Sequence, residues 1–75
     1  MVFVKRDIKI VLASNIKDVL QFKKMKQSDL ANITDIREKT ISRICNAQSN
    51  CHMDTVEKIA DGLGVPIERL FWEYE

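Results

Sequence analysis

The stretch from Gln27 to Asn46, QSDLANITDIREKTISRICN, contains the pattern that decides the fold. Its apolar residues recur at helical spacing in two short segments, at about 27–33 and 37–46. Between them lies Asp35, a residue type that tolerates the left-handed backbone conformation of a tight turn. Two short helices joined in this way predict a helix-turn-helix, in which the second helix can lie in the major groove of DNA.

Helical spacing predicts three further helices, one before this pair at about 15–24 and two after it at about 54–62 and 66–71. Ser14-Asn15 is a candidate N-cap for the first of these helices. Gly62-Leu63-Gly64 has the composition of a helix end, and Pro66 suits the first turn of the last helix. The prediction is therefore an all-α, compact five-helix domain at 15–71.

The two ends of the chain have a different composition. Val2 to Leu12 is β-branched and roughly alternating, which predicts a strand or an extended arm within 1–14. The aromatic tail at 72–75 is long enough for one short strand. Trp72 either folds back onto the core or pairs the tail with the N-terminal strand, within the chain or across a two-fold axis.

Composition and charge restrict the function. The 75 residues are 45% hydrophobic and 31% charged, which is typical of one small globular domain that cannot easily enclose a deep active site. The net charge of +1 conceals an uneven distribution, with +5 in residues 1–26, 0 in 27–50 and −4 in 51–75. A basic first third is thus available for an anionic partner.

Several classes of function are not expected. The sequence has no apolar run of roughly 20 residues and no apolar core of a signal peptide, so no membrane association and a cytoplasmic location are predicted. Cys45, Cys51 and His52 are too few for a zinc site or a disulfide framework. Neither a catalytic set nor a glycine loop for phosphate is present. We therefore expect no enzyme activity, no metal or other cofactor, and no small-molecule ligand.

Three segments carry a resemblance to a known family: Met25–Ala31, Thr40–Asn46 and Asp54–Val65. Together they resemble the lambda-repressor-like, Cro-type (XRE) helix-turn-helix family, over about Ile16 to Phe71. The resemblance implies a sequence-specific DNA-binding transcriptional regulator, most simply a repressor. Such a protein binds double-stranded DNA as a homodimer, on a near-palindromic operator with half-sites about 34 Å apart.

The same resemblance makes the helix at about 37–46 the recognition helix. It implies four base-reading residues: Glu38, Lys39, Thr40 and Arg43. Arginine and lysine donate to guanine, glutamate accepts from cytosine, and a threonine methyl packs on thymine. The resemblance and the excess of lysines imply phosphate contacts from nine further residues: Lys24, Lys26, Gln27, Ser28, Arg37, Ser42, Asn46, Gln48 and Ser49.

The chain departs from the family pattern at four positions. Lys26 stands where a serine or threonine usually caps the helix, Asp35 and Ala47 stand where glycines are usual, and Cys51 stands where proline is common. None of these departures removes a base-reading position, so the expectation of DNA binding survives them. A second function also stays open, namely a protein-interaction module of the same fold, for dimerisation or antitoxin-like partner binding. The acidic, aromatic last third favours this alternative, and Glu38 is equally compatible with a surface ion pair.

Overall fold

The computed structural model of the chain describes residues 8–48 and 52–72, and these residues form helices and turns without a strand. The helices, in chain order, are α1 (Ile8–Lys23), α2 (Gln27–Thr34), α3 (Glu38–Cys45), α4 (Met53–Leu63) and a 3₁₀ helix (Ile67–Phe71). The predicted all-helical class is confirmed. The count of five helices is not confirmed, because the segment predicted as the fifth helix, at 66–71, forms a 3₁₀ helix (Ile67–Phe71) after Pro66.

The structure corrects the prediction for the N-terminal segment. Residues 8–14, expected to be part of a strand or arm, are the first two turns of α1. The buried side chains Val11, Leu12, Ile16, Val19 and Leu20 continue one helical stripe from this segment into the rest of α1. Packing of that stripe outweighs the modest preference of β-branched residues for strands. The strands predicted within 1–7 and 73–75 lie outside the described residues.

One aliphatic core holds the helices together. Leu12 and Ile16 of α1 are buried together with side chains from every other helix. The central members are almost completely excluded from solvent, namely Leu30 of α2, Ile41 of α3, Ile59 and Leu63 of α4, and Leu70 of the 3₁₀ helix. Because each helix contributes to the same cluster, the core fixes the orientation of α2 and α3 relative to α1 and α4.

Asn15, predicted to be an N-cap, instead lies in the middle of α1 and is fully buried, with 0% of its surface exposed. Its Nδ2 donates hydrogen bonds to the carbonyl oxygens of Leu70 (2.8 Å) and Trp72 (2.7 Å). Its Oδ1 accepts a hydrogen bond from Nη1 of Arg69 at 3.1 Å. This one amide therefore connects α1 to the C-terminal 3₁₀ helix, as a buried polar group must find partners.

All four α-helices are followed by a residue with left-handed backbone. These residues are Lys24, Asp35, Ala47 and Gly64, with φ of 56°, 60°, 56° and 71°. After α1, α3 and α4 the next two amides bond back to the helix in the paired arrangement typical of such ends. Only Gly64 has the residue type that adopts this conformation without a steric cost.

Gly62 allows α4 to approach α2 closely. A Cβ added at this position would lie 2.7 Å from Cγ2 of Thr34 and 3.3 Å from Cγ2 of Ile33. Thr34 cannot easily turn away, because its Oγ1 donates a 2.7 Å hydrogen bond to the carbonyl oxygen of Leu30. Any larger residue at position 62 would therefore push the helix-turn-helix away from α4.

Candidate nucleic-acid interface

The two faces of α3 are chemically distinct. Ile41, Ile44 and Cys45 are buried in the core. The four predicted base-reading residues, Glu38, Lys39, Thr40 and Arg43, are all exposed. Lys39 and Arg43 are four residues apart and so project from the same side of the helix. This arrangement leaves one polar, largely cationic face of α3 accessible to a macromolecule, as contact with base edges requires.

The bounds of α3 differ slightly from the predicted 37–46. Arg37 has extended backbone (φ −61°, ψ 139°) and is the residue before the helix, with its side chain exposed. The helix ends at Cys45, because the amides of Ala47 and Gln48 bond back to the carbonyl oxygens of Ile44 (3.1 Å) and Arg43 (2.8 Å). Alanine in place of glycine at position 47 therefore neither removes the turn nor lengthens the helix.

The N-terminus of α2 lacks the usual capping side chain. Lys26 occupies the capping position, where its ammonium group cannot accept a hydrogen bond from the helix. A side chain inside the helix instead bonds back to the capping residue, since Oδ2 of Asp29 accepts a 3.0 Å hydrogen bond from the backbone amide of Lys26. The first helical residues, Gln27 and Ser28, are half-buried. Their position at a helix N-terminus suits the predicted phosphate contact.

A shallow polar groove joins α2 to the beginning of α3. Ser28, Arg37 and Glu38, three of the predicted DNA-contacting residues, line it together with Asn32 and Asp35. Asn32 was not predicted as a site residue, although it lies four residues after Ser28 and hence on the same face of α2. Its exposed amide can both donate and accept hydrogen bonds.

The residues that follow the reading face form a second polar group. Nδ2 of Asn46 donates a long, 3.5 Å hydrogen bond to Oγ of Ser42, one turn earlier. Gln48 is exposed at the end of the left-handed turn. Ser49, the remaining predicted phosphate contact in this loop, lies outside the described residues. The structure therefore brings Ser42, Asn46 and Gln48 to the C-terminal end of α3.

The two lysines predicted to contact phosphate lie in the connection between α1 and α2. Lys24 and Lys26 are both exposed there. The neighbouring Lys23 points elsewhere, because its Nζ would lie 3.8 Å from a Cβ on Gly64. Its charge is thus beside the C-terminus of α4, where a cation is stabilised by the helix dipole. Within 8–48 and 52–72, no helix has the length and apolar composition to cross a bilayer. No group of acidic, His or Cys side chains there could hold a metal ion.

Comparison with solved structures identifies proteins of the same fold. A hypothetical transcription factor, NHTF from Neisseria, aligns with 96% of this chain and 85% of its own, at 24% identity and a TM-score of 0.85. The restriction-modification controller protein C.AhdI from Aeromonas hydrophila aligns with 84% of this chain and 96% of its own, at 17% identity and a TM-score of 0.81.

A further controller protein, C.Esp1396I, was solved as a tetramer in complex with its natural 35 base-pair operator. It is 27% identical, with a TM-score of 0.81, and the alignment covers 89% of this chain and 88% of that one. No curated protein sequence matches the chain. Residues 15–71, about three quarters of the sequence, match the family model of the Cro/C1-type HTH DNA-binding domain. The chain belongs to the Cro/C1-type helix-turn-helix family of DNA-binding transcriptional regulators.

Proposed function

We propose that this sequence-specific transcriptional regulator is a repressor that binds a near-palindromic operator as a homodimer. Each copy places α3 in the major groove, and two half-sites lie about 34 Å apart. The observation that carries the proposal is the exposed face of α3, where Glu38, Lys39, Thr40 and Arg43 project away from a fully buried apolar face. As a DNA-binding regulator, the protein acts in the cytoplasm in this proposal.

Base recognition and phosphate contact are divided between different parts of this surface. Arg43 and Lys39 supply donors for guanine O6 and N7, Thr40 a methyl for thymine, and Glu38 an acceptor for cytosine N4. Lys24 and Lys26 supply charge without sequence preference. Gln27 and Ser28 hold one phosphate at the α2 N-terminus, and Asn46 and Gln48 hold another beyond α3.

The comparison with the controller that was solved as a tetramer on its operator supports an oligomeric, operator-binding arrangement, since its 27% identity extends over most of both chains. Repression then follows where the operator overlaps a promoter, because the bound protein occupies the DNA from which transcription must start.

Two alanine variants test the division of roles, measured by fluorescence anisotropy on a selected operator and on single-base variants of it. Arg43→Ala should weaken operator binding by about 1–3 kcal/mol and relax the preference at one base pair. Lys24→Ala should weaken binding to all sequences alike and make the salt dependence shallower. If Arg43→Ala weakens every duplex equally and leaves the preference intact, Arg43 does not read a base.

A further inference from the structure

The most exposed large apolar side chain of the described residues is Phe22, near the end of α1, with 86% of its surface accessible. Exposure of a whole phenyl ring on a small domain is unfavourable, because a buried aromatic ring removes a large apolar area from water. Phe22 is not among the residues predicted to contact DNA. It therefore lies outside the predicted DNA-contacting set and is a candidate for contact with another partner.

Two adjacent grooves lie on this part of the surface, and Phe22 lines one of them. The Phe22 groove is lined by Val19, Phe22, Lys23, Val65 and Arg69. The α4 groove is lined by Glu57, Lys58, Ala60, Asp61, Val65 and Ile67. Val65 belongs to both grooves, so that they form one continuous surface across the end of α1 and the end of α4.

The two grooves differ in charge and in shape. The lining of the Phe22 groove includes two cations, Lys23 and Arg69, and no carboxylate. Two carboxylates, Glu57 and Asp61, and one ammonium, Lys58, line the α4 groove, whose floor is aliphatic. The chain thus carries a projecting ring beside a positive charge and, next to it, an apolar depression with a net negative charge.

We propose that this surface is the contact between two copies of the chain, with Phe22 of each copy in the α4 groove of the other. A two-fold axis near Val65 exchanges the two grooves, and an isologous interface requires such a self-complementary patch. Lys23 of each copy then lies opposite Asp61 of its partner copy. The inference rests on the proposed function in one respect, because binding to paired half-sites calls for a homodimer.

The proposed interface and the DNA-binding surface use separate residues. None of the residues that line the two grooves belongs to the predicted base-reading or phosphate-contacting set. The proposed contact between copies therefore does not compete with DNA for the same side chains. Contacts within its own chain fix the position of Arg69. Its guanidinium group donates a hydrogen bond to Oδ1 of Asn15 and lies 4.4 Å from the centre of the Trp72 ring.

Sedimentation velocity of the full chain without DNA, over a range of concentrations, tests the role of the ring. Phe22→Ala should weaken dimerisation by at least about 30-fold, as expected for the loss of a central aromatic side chain. The control is Met53→Ala, at another exposed apolar residue that is 58% accessible and lies outside both grooves, and it should dimerise like the wild type. Circular dichroism checks that both variants are folded. A Phe22→Ala variant that dimerises like the wild type, or a wild type that stays monomeric, overturns the proposal.

Charge reversal tests the pairing of the two grooves more specifically. Lys23→Glu alone and Asp61→Lys alone should each dimerise poorly, because each homodimer places like charges opposite one another. An equimolar mixture of the two variants should restore dimerisation, since the mixed dimer has opposite charges at both contacts. If the mixture associates no better than either variant alone, Lys23 and Asp61 do not face each other across the interface.

Binding to a duplex with a single half-site separates this proposal from the proposed function. If only the interface is wrong, Phe22→Ala is still dimeric and half-site recognition still depends on Arg43. If only DNA recognition is wrong, the variants lose dimerisation as expected, but the wild type shows no preference for the half-site over a scrambled duplex. If both proposals are right, Phe22→Ala is monomeric and retains half-site preference, with reduced affinity for the full operator.

Discussion

At the scale of single residues, Asn15 connects the first helix to the last. It is buried, and both Nδ2 and Oδ1 of its side chain form hydrogen bonds with the chain segment from Arg69 to Trp72. Removing the amide leaves two carbonyl oxygens and a guanidinium group without this partner. The cost of such a loss is greater than the benefit of the original hydrogen bonds, because the remaining groups have been taken out of water.

We predict that Asn15→Ala lowers the free energy of unfolding by about 2–4 kcal/mol. The matched control is Ser14→Ala, at the adjacent exposed position of the same helix, which should change it by less than about 0.5 kcal/mol. Urea denaturation followed by circular dichroism measures both. Similar stability of the two variants would mean that the buried amide is not needed to attach the C-terminal segment.

Ala47 is a second residue whose conformation affects stability, because its left-handed backbone is unfavourable for alanine. Its φ of 56° brings Cβ close to the backbone, a conformation that glycine adopts freely. Ala47→Gly should therefore raise the free energy of unfolding by about 0.5–1 kcal/mol. The same change at Ala31, inside α2, should lower it by at least about 0.5 kcal/mol, because helical backbone favours alanine. Thermal denaturation of both variants checks the opposite signs, and two effects of the same sign would contradict the assigned backbone conformation.

At the scale of secondary structure, the close contact between α2 and α4 depends on Gly62 and Thr34. Gly62→Ala should lower the free energy of unfolding by about 1–2 kcal/mol, because the added methyl meets Thr34 Cγ2. In a Thr34→Ser background the methyl is gone while the hydroxyl group is kept, so the same change should become neutral or stabilising by up to about 1 kcal/mol. Equal effects of Gly62→Ala in both backgrounds, measured by chemical denaturation, would show that the two side chains do not compete for space.

The helix-turn-helix could be predicted from the sequence because its signals are local. The spacing of apolar residues predicted the ends of α2 and α3 to within one residue of the observed ends. The residue type of Asp35 indicated the left-handed backbone of the turn. The first two turns of α1 could not be predicted in this way. Three of the five residues from Ile8 to Leu12 are β-branched, and the helical conformation of this segment depends on distant partners such as Leu70, which local propensity does not reveal.

The candidate site shows the same division between local and non-local information. The exposed face of α3 follows from periodicity, since its buried residues are spaced at three and four. The groove that joins Asn32 to Ser28, Arg37 and Glu38 depends on the angle between two helices and so could not be derived from spacing alone. Asn15 was interpreted as a cap because asparagine is common there, whereas burial gives it another role.

At the scale of the whole molecule, the distribution of charge explains how a nearly neutral chain binds DNA. Residues 1–26 carry a net charge of +5 and residues 51–75 a net charge of −4. Lys24 and Lys26 are exposed beside the N-terminus of α2, whereas the acidic Glu57 and Asp61 line a groove on α4 that has no predicted DNA contact. A net charge near zero reduces non-specific binding, and in the proposed function specificity comes from a few side chains on α3 and from dimerisation.

The most direct test of this account is the affinity of the wild-type chain for a selected operator and for a scrambled duplex of equal length, measured at several salt concentrations. We predict that the operator is bound at least about 10³-fold more tightly. We also predict that the logarithm of the operator affinity falls linearly with the logarithm of salt concentration, because phosphate contacts release counterions. Equal affinity for the two duplexes, or operator binding that does not change with salt, would contradict the central claim.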